Sequence, residues 1–294
     1  MYDIIIVGGG PAGLTAALYA GRANKKVLIL EAKAYGGQII NAHIVKNYPG
    51  IPNISGFDYA TSLYNQVIDL GVEFKYETVI RIEDDNSVIT NKNKYNGKSI
   101  ILATGSVNKK LNIAREDEFV GKGVSYCATC DGAFYKNLDV CIYGGDNTAL
   151  EDALYLADIC NKVYLINKED KFEDNILLND IKNRDNIICM NGLAIEELMG
   201  EDKLTGIRLS DNSIIDISGL FIIIGTSPKN DIFKNIVDID SNGYIISKDG
   251  VHTNRDKIYV AGDNRVKSLR QLVTACSDGA IAATTAIKEM NENG

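Results

Sequence analysis

Two stretches of the chain share one pattern of hydrophobic and polar residues. In the first, the apolar run 3–7 leads into a glycine-rich turn, a stretch with helical spacing and the apolar run 27–31. In the second, the run 139–143 leads into a similar turn and stretch, followed by the run 163–167. This order predicts strand–turn–helix–strand units. Because the two stretches align without a gap, the sequence predicts two copies of one α/β fold.

The first turn has the glycine spacing of a dinucleotide-binding fingerprint. Gly8 allows the tight turn, Gly10 lets the backbone approach a pyrophosphate, and Gly13 lets the helix lie close to the strand. The N-terminus of that helix offers free N–H groups to phosphates. Glu31 closes the second strand about twenty residues further on, where a carboxylate accepts hydrogen bonds from ribose hydroxyls. The first copy therefore predicts a complete dinucleotide site.

The second turn departs from this fingerprint at the point of closest phosphate approach. Asp146 stands where the first copy has Gly10, and as a good N-cap it is expected to fill the anion site with its own carboxylate. Asn167 replaces Glu31, and the residues 168–171 contain no pair of arginines able to bind a 2′-phosphate. We therefore predict that the second copy keeps the fold and has lost its nucleotide.

Cys127 and Cys130 form a CxxC pair, which is either a redox dithiol or half of a zinc site. Zinc usually takes a second close pair, and the remaining cysteines are isolated, so the redox interpretation is favoured and no metal is expected. Cys141 and Cys160 are predicted to be buried packing residues. Asp131, next to the pair, is either a proton donor and acceptor for a thiolate or a turn residue before Gly132.

Composition and charge narrow the function classes. The chain has 294 residues, of which 45% are hydrophobic and 24% charged, as in an ordinary globular protein. Its net charge of -8 argues against nucleic acid and anionic membrane as partners, so an acidic protein would need a local basic patch. The apolar runs are too short to span a bilayer. The N-terminus continues directly into an apolar run without a basic leader, so we expect a cytoplasmic protein.

Several segments together resemble the low-molecular-weight thioredoxin reductases over nearly the whole chain. These segments are 8–14, 36–38, 47–50, 101–105, 121–137, 224–228, 260–263 and 269–280. The resemblance implies an α/β protein with two Rossmann-like, three-layer (ββα) nucleotide-binding domains, the second inserted in the first. It implies an FAD domain at 1–111 and 240–294, a dithiol domain at 112–239, and a homodimer.

The resemblance also implies the site residues. The Asp263 match holds the ribityl–phosphate end of FAD, and the Arg270 and Gln271 matches lie beside the flavin ring. Cys130 is implied to be the sulfur nearest the ring, with Cys127 as the outward nucleophile. The cofactor-binding positions implied by the resemblance are Gly8, Gly10, Pro11, Ala12, Gly13, Glu31, Gly37, Gln38, Ala103, Thr104, Gly105, Gly262, Asp263, Arg270 and Gln271.

The sequence departs from this family at one ligand site. The nucleotide-binding glycine and the arginine cluster of the second fold are both absent. The chain is in this respect most similar to the ferredoxin-dependent flavin thioredoxin reductases of anaerobic bacteria. The resemblance then implies that electrons pass from ferredoxin through FAD and the dithiol to thioredoxin, which segment 133–136 contacts. Arg265, Lys267 and Arg270 either help to dock an acidic ferredoxin or have a phosphate-binding or structural role.

Three alternatives remain open at this point. The chain is a conventional NADPH-dependent thioredoxin reductase with an atypical site, a flavin-dependent oxidase of small dithiols, or a non-catalytic flavin-binding redox sensor. The intact segment Cys127–Asp131 argues against the sensor, because a sensor needs no proton-transfer residue beside its cysteines.

Overall fold

A computed structural model describes residues 1–42, 44–172 and 176–292 of the chain. Up to Asn108 the elements are β1 (Tyr2–Val7), α1 (Pro11–Arg22), β2 (Val27–Glu31), α2 (Gly56–Ile68), β3 (Glu73–Tyr76), β4 (Val79–Ile82), β5 (Ser87–Thr90), β6 (Lys94–Leu102) and β7 (Ser106–Asn108). The next elements are α3 (Glu116–Phe119), β8 (Val124–Ser125), α4 (Ala128–Asp131), β9 (Asp139–Tyr143), α5 (Asn147–Ala157), β10 (Lys162–Asn167), α6 (Ile176–Lys182), β11 (Ile187–Asn191), β12 (Ile195–Met199), β13 (Gly206–Leu209), β14 (Ile214–Asp216) and β15 (Gly219–Ile222). The last elements are β16 (Thr226–Pro228), β17 (Ile258–Val260) and α7 (Leu272–Glu292). Among the described helices, none combines the length and apolar composition needed to cross a membrane.

The chain divides into two compact units, one made of Met1–Val107 with Ser227–Gly294 and the other of Asn108–Thr226. The second unit is thus an insertion in the first, and the connecting strands β7 and β16 pair with each other. The structure divides the chain at Asn108 and Ser227, whereas the predicted boundaries are near residues 112 and 240. The second boundary differs more, because Phe233 and Val237 pack into the core of the first unit although they precede residue 240. Because this segment has an irregular backbone, its sequence shows no periodic pattern that would assign it to either unit.

The first unit is built around a sheet with the order β3-β2-β1-β6-β5-β4, and β17 pairs with the C-terminal half of β6. Strands β1, β2, β3, β6 and β17 are parallel, whereas β4, β5 and the start of β6 form an antiparallel meander. Successive side chains of a strand point to opposite faces. Accordingly Ile4 and Ile6 pack with residues of α1 and α7, while Ile5 and Val7 pack with Val88 of the meander. The unit therefore has three layers.

The inserted unit repeats this architecture. Its parallel sheet has the order β11-β10-β9-β15-β8, and β12, β13 and β14 form a separate antiparallel sheet. Val140 and Ile142 pack with α5, while Cys141 and Tyr143 pack with the antiparallel strands. The prediction of two Rossmann-like, three-layer folds is confirmed. Cys141 and Cys160 are buried as predicted, although α5 ends at Ala157 and Cys160 follows it in a turn.

Candidate active site: the dithiol and the flavin-binding turn

The dithiol lies in the inserted unit, with Cys127 just before the single-turn helix α4 and Cys130 within it. Cys127 has an extended backbone and precedes α4, so that its sulfur accepts a hydrogen bond from the Cys130 amide at 3.2 Å. The two cysteines are joined in a disulfide with a Cα–Cα distance of 5.3 Å. A disulfide is the oxidised form of the predicted redox pair. Cys130 is exposed and Cys127 half-buried in this form, so exposure alone does not select Cys127 as the outward sulfur.

Asp131 follows the second cysteine at the end of α4. Its Oδ2 accepts a hydrogen bond from the Ser125 hydroxyl at 2.6 Å. Burial raises the pKa of the Asp131 carboxyl above its ordinary value, and the hydrogen bond from Ser125 opposes that rise. A carboxyl group with a raised pKa is suited to hold and release a proton beside a disulfide. Proton transfer by Asp131 stays a prediction, with which its buried, hydrogen-bonded carboxyl group is consistent.

The first glycine turn lies in the other unit, between β1 and α1. Gly8 has φ +112°, and a Cβ added there would lie 2.3 Å from the Ala103 carbonyl oxygen. A Cβ on Gly13 would lie 2.0 Å from the Gly8 carbonyl oxygen. A Cβ on Gly10, by contrast, would meet nothing closer than the Gly37 Cα at 3.8 Å. Packing therefore requires Gly8 and Gly13, whereas Gly10 leaves open space beside the helix N-terminus.

The turn is supported by the end of β2. Glu31 accepts hydrogen bonds from the Gly9 amide at 2.7 Å and from the Lys33 amide at 2.8 Å. An ionised carboxylate has about four acceptor sites, so Glu31 retains capacity for ribose hydroxyls. Pro11 begins α1, where its missing N–H leaves no bond unmade, and Ala12 follows it.

Two further loops border this turn as the sequence predicts. Gly37 has φ +59°, and its backbone lies so close that an added Cβ would be 3.1 Å from the Gly10 Cα. Gln38 follows it in a short 3-10 helix. On the other side, the β6 exit brings Ala103 to Gly8, and Thr104 and Gly105 continue the loop.

The C-terminal part of the first unit supplies an unsatisfied carboxylate. Asp263 Oδ1 is buried and has no hydrogen-bond partner, and its nearest cation, the Lys267 ammonium, is 4.0 Å away. Burial raises the pKa of Asp263, which nearby Lys267 and Arg270 only partly offset. Such an orphaned acceptor is costly unless a ligand donates to it. Together with the open space at Gly10, it shows that these residues fit a flavin dinucleotide.

The last two predicted cofactor residues, Arg270 and Gln271, lie directly before α7. The Arg270 guanidinium lies 4.2 Å from the centre of the Tyr244 ring, and its Nε is buried without a hydrogen-bond partner. Gln271 accepts a hydrogen bond from the Asn47 side-chain amide at 3.1 Å. Both side chains are thus fixed by residues that are distant in sequence.

Sequence reasoning missed the ion-pair cluster around Asp278. This residue of α7 is 5% exposed and pairs with Arg265 and Lys267, each at 2.8 Å. It also accepts a hydrogen bond from the Gly262 amide at 3.0 Å, next to Asp263. The side chain of Lys267 is only 6% exposed. Arg265 and Lys267 therefore have a structural role, and the alternative that they dock an acidic ferredoxin is not supported by their placement.

Replacing Asp278 by asparagine should leave two nearly buried cations without their anion and destabilise the protein by about 3–5 kcal/mol. Urea unfolding of the FAD-loaded protein measures the effect. Although burial alone would raise the pKa of Asp278, Arg265 and Lys267 hold it below its ordinary value. The stability from Asp278 is therefore present above that ordinary value and is lost as pH falls through the lowered pKa.

The matched control is Glu83→Gln, because Glu83 forms exposed ion pairs with Arg81 and Lys94. Exposed pairs contribute little, so this variant should unfold almost as the parent does. Equal unfolding curves for Asp278→Asn and Glu83→Gln would contradict the structural role of the Asp278 cluster.

The second glycine turn is closed by its own side chains. Asp146 caps α5 as predicted, and its Oδ1 accepts a hydrogen bond from the Ala149 amide at 3.0 Å. Asn167 folds into the turn, since a Cβ on Gly145 would lie 2.4 Å from the Asn167 Oδ1. Burial, with the charges of Glu151 and Asp146, raises the pKa of Asp152 to about 6. Asp146 therefore places a carboxylate at the helix terminus whose counterpart in the first fold offers free amides to a phosphate.

Comparisons with known proteins give one consistent result. The sequence profile of the pyridine nucleotide-disulphide oxidoreductase family matches residues 2–279. Two relatives named thioredoxin reductase, from Listeria monocytogenes and Peptoclostridium acidaminophilum, are 38% and 39% identical. The first alignment covers 99% of this chain and 95% of the relative, and the second 100% and 98%. The names of these two relatives do not specify the electron donor.

A solved structure supports the same assignment. The thioredoxin reductase of Streptococcus pyogenes is 35% identical, with a TM-score of 0.95 over 99% of each chain. The family match, these relatives and the disulfide at Cys127–Cys130 agree. The chain therefore belongs to the low-molecular-weight thioredoxin reductases, which are FAD-dependent flavoprotein disulfide reductases.

Proposed function

We propose that this thioredoxin reductase receives its electrons from reduced ferredoxin rather than from NADPH, and passes them through FAD and the Cys127–Cys130 dithiol to thioredoxin. The observation that carries the proposal is the contact of Asp146 Oδ1 with the Ala149 amide. This amide is one of the free helix N–H groups that would otherwise face a pyrophosphate. In the second fold a carboxylate of the protein already occupies it.

The surroundings of Asp146 further disfavour nucleotide binding. Glu151 and Asp152 bring further negative charge, and the Asn167 Oδ1 is held by the Glu169 amide at 3.1 Å. Losing two charge-assisted contacts of about 1.5–3 kcal/mol each weakens binding by roughly a hundred- to ten-thousand-fold. NADPH at ordinary concentrations would then leave the site mostly empty.

The redox potentials favour ferredoxin as donor. The reduction potentials of a ferredoxin at about −400 mV and a thioredoxin at about −270 mV differ by roughly 130 mV. For two electrons this difference corresponds to about 6 kcal/mol. The transfer is therefore downhill without a nicotinamide.

The residues of the first unit would hold the cofactor as follows. The Glu31 carboxylate binds ribose hydroxyls, and Gly10 leaves room for the pyrophosphate. The unsatisfied oxygen of Asp263 would accept a hydrogen bond from the ribityl–phosphate end, and Arg270 and Gln271 would bind the flavin ring. When bound, FAD supplies the electron pair that reduces the Cys127–Cys130 disulfide.

The dithiol then acts on thioredoxin in two steps. The Cys127 thiolate attacks the thioredoxin disulfide, forming a mixed disulfide and releasing one thioredoxin sulfur as a thiolate. That sulfur takes a proton from Asp131. Cys130 returns a proton to Asp131 and attacks the Cys127 sulfur, which closes the disulfide and frees reduced thioredoxin.

A groove in the inserted unit supports docking of thioredoxin near the dithiol. Its volume is about 700 Å³, and its lining includes Phe134, Leu138, Lys122 and Lys203. Phe134 and Leu138 are exposed apolar side chains that a partner protein could cover. The charges of the two lysines are balanced in the lining by Asp139 and Asp216, so the groove is not a basic patch. The proposed enzyme acts in the cytoplasm and is a homodimer, the latter as the family resemblance implies.

Anaerobic mixing of the FAD-loaded enzyme with NADPH, NADH or reduced ferredoxin tests the donor. We expect ferredoxin to bleach the flavin absorbance rapidly and both pyridine nucleotides to react at least about a hundredfold more slowly, since their binding site is closed. The Cys127→Ser, Cys130→Ser double variant is the control, because its flavin should still be reduced although thioredoxin is not.

The family name itself favours a pyridine nucleotide as the second candidate donor. Fast bleaching by NADPH would establish that alternative and exclude ferredoxin as the necessary donor. Rapid oxygen-dependent turnover of small dithiols without thioredoxin reduction would instead identify a dithiol oxidase.

A further inference from the structure

Ser125 lies at the centre of the hydrogen bonds around the dithiol, although it is not one of the reacting residues. Its Oγ accepts a hydrogen bond from the Cys127 amide at 3.1 Å and donates to Asp131 Oδ2 at 2.6 Å. The Cys127 carbonyl lies 3.3 Å from the same Oγ. A serine hydroxyl has one proton, so the shorter, charge-assisted contact with Asp131 is the one that it donates.

The position of Ser125 is set by the sheet of the inserted unit. It ends β8, where it pairs in register with Phe221 of β15, and it is 4% exposed. Asp131 and the cysteines, in contrast, lie on or beside α4, which is a single turn. A rotation of that turn would displace Asp131 unless its carboxylate were held from the sheet.

We propose that Ser125 is a positioning residue for the dithiol step, holding the Asp131 carboxyl group in place for proton transfer and fixing the Cys127 backbone beside it. This inference rests on the proposed role of Asp131 as proton donor and acceptor. Ser125 acts through its hydrogen bonds with Asp131 and with the Cys127 amide.

The surroundings of Asp131 explain why a hydrogen-bond donor is needed there. Burial raises the pKa of the Asp131 carboxyl, and Ser125 is the group that lowers it. Among the described residues, Tyr135 is a titratable group that interacts with Asp131, and its pKa is raised to about 12 by burial and by the charges of Asp131 and Cys160. Tyr135 is therefore neutral near pH 7 and brings no positive charge to the carboxylate. Ser125 therefore stabilises the carboxylate that receives a proton from Cys130.

Each proton transfer uses this hydrogen bond in the same way. When Asp131 gives its proton to the thioredoxin thiolate, Ser125 donates to the carboxylate that remains. When the Cys130 thiol loses its proton to Asp131, the new thiolate attacks Cys127 and the S–S bond to thioredoxin breaks. Asp131 then gives this proton to the second thioredoxin sulfur, which leaves as a thiolate. Two electrons thus pass from the dithiol to thioredoxin. One of the two protons on reduced thioredoxin is the one that the Cys127 thiol first gave to Asp131, and the other comes from the Cys130 thiol.

The test compares Ser125→Ala with Ser125→Thr in the FAD-loaded enzyme. The enzyme is first reduced chemically, and the rate of thiol transfer to thioredoxin is then followed across pH by rapid quenching. In Ser125→Ala the pKa of Asp131 should rise. The fall in the transfer rate on the alkaline side of the pH–rate profile (the alkaline limb) should therefore shift to higher pH by about one unit. The plateau rate should fall by roughly tenfold or more, because the carboxyl group is no longer held in position.

Ser125→Thr keeps the hydroxyl and should restore both the limb and most of the plateau rate. Ser210→Ala is the matched control, since Ser210 is an exposed serine of the same unit that accepts one backbone hydrogen bond. It should reproduce the parent profile. Infrared absorption of the protonated Asp131 carboxyl gives a second measurement of the same pKa shift, independent of turnover.

Asp131→Asn separates the inference from the proposal on which it rests. If Asp131→Asn leaves the profile unchanged, the role of Asp131 is wrong. If Asp131→Asn removes the alkaline limb but Ser125→Ala shifts neither the limb nor the infrared titration, only the role of Ser125 is wrong. Should Ser125→Ala fail to fold, Ser125→Cys keeps the volume with a weaker donor and should show the same direction of shift.

Discussion

Replacing Cys127 by serine is expected to lower thioredoxin reduction by at least about a thousandfold, because a hydroxyl cannot replace the thiolate that attacks the thioredoxin disulfide. The flavin content should not change, since the proposed FAD contacts all lie in Met1–Val107 and Ser227–Gly294. Turnover with chemically reduced enzyme and an absorbance spectrum of the purified variant measure the two quantities.

Cys130→Ser should behave differently from Cys127→Ser. With Cys127 free and no resolving sulfur, the first step proceeds and the second does not, so thioredoxin accumulates as a mixed disulfide visible by mass spectrometry. Cys189→Ser is the control, because Cys189 is an exposed cysteine outside the CxxC pair. An adduct on Cys130 in the Cys127→Ser variant, with none on Cys127 in Cys130→Ser, would reverse the assigned order of the two sulfurs.

Gly13→Ala and Gly10→Ala should fail in different ways. A Cβ on Gly13 overlaps the Gly8 carbonyl oxygen at 2.0 Å, so α1 must move away from β1. We expect a loss of about 3 kcal/mol or more in the free energy of unfolding, together with loss of FAD. Urea unfolding of the apoprotein and the FAD content of the purified variant provide the measurements.

Gly10→Ala meets no protein atom closer than 3.8 Å, and its Cβ projects into the space left for the pyrophosphate. The apoprotein should lose no more than about 1 kcal/mol, as expected for a poorer N-cap. Its affinity for FAD should fall by about tenfold or more, equivalent to about 1.4 kcal/mol. Unchanged FAD affinity would show that the pyrophosphate does not pass over Gly10.

The repeated fold and the dithiol were predictable because their signals are local. Alternating buried strands, a glycine turn and a helix occupy neighbouring positions, so the segments beginning at Asp3 and Asp139 each contain a whole unit. The cap at Asp146 was predictable for the same reason, since an N-cap bonds the amide three residues away. The structure confirms these predictions.

The features that escaped prediction depend on contacts between distant segments. Lys267 and Arg265 look like exposed basic residues in sequence, and only the approach of α7 shows that Asp278 neutralises them. The segment from Ser227 to residue 240 has no regular period, so nothing local assigns it to the first unit. Ser125 likewise gains its partner only because α4 turns Asp131 back towards the end of β8.

The insertion of one unit within the other also orders events during synthesis. The first unit is completed by α7, where a Cβ on Gly279 would lie only 2.1 Å from the Ala12 carbonyl oxygen of α1. During synthesis from the N-terminus, the dithiol unit leaves the ribosome complete before α7 has been made. Until then α1 lacks the helix against which it packs. We therefore expect the dithiol unit to fold before the first unit during synthesis, and FAD binding to follow the synthesis of α7.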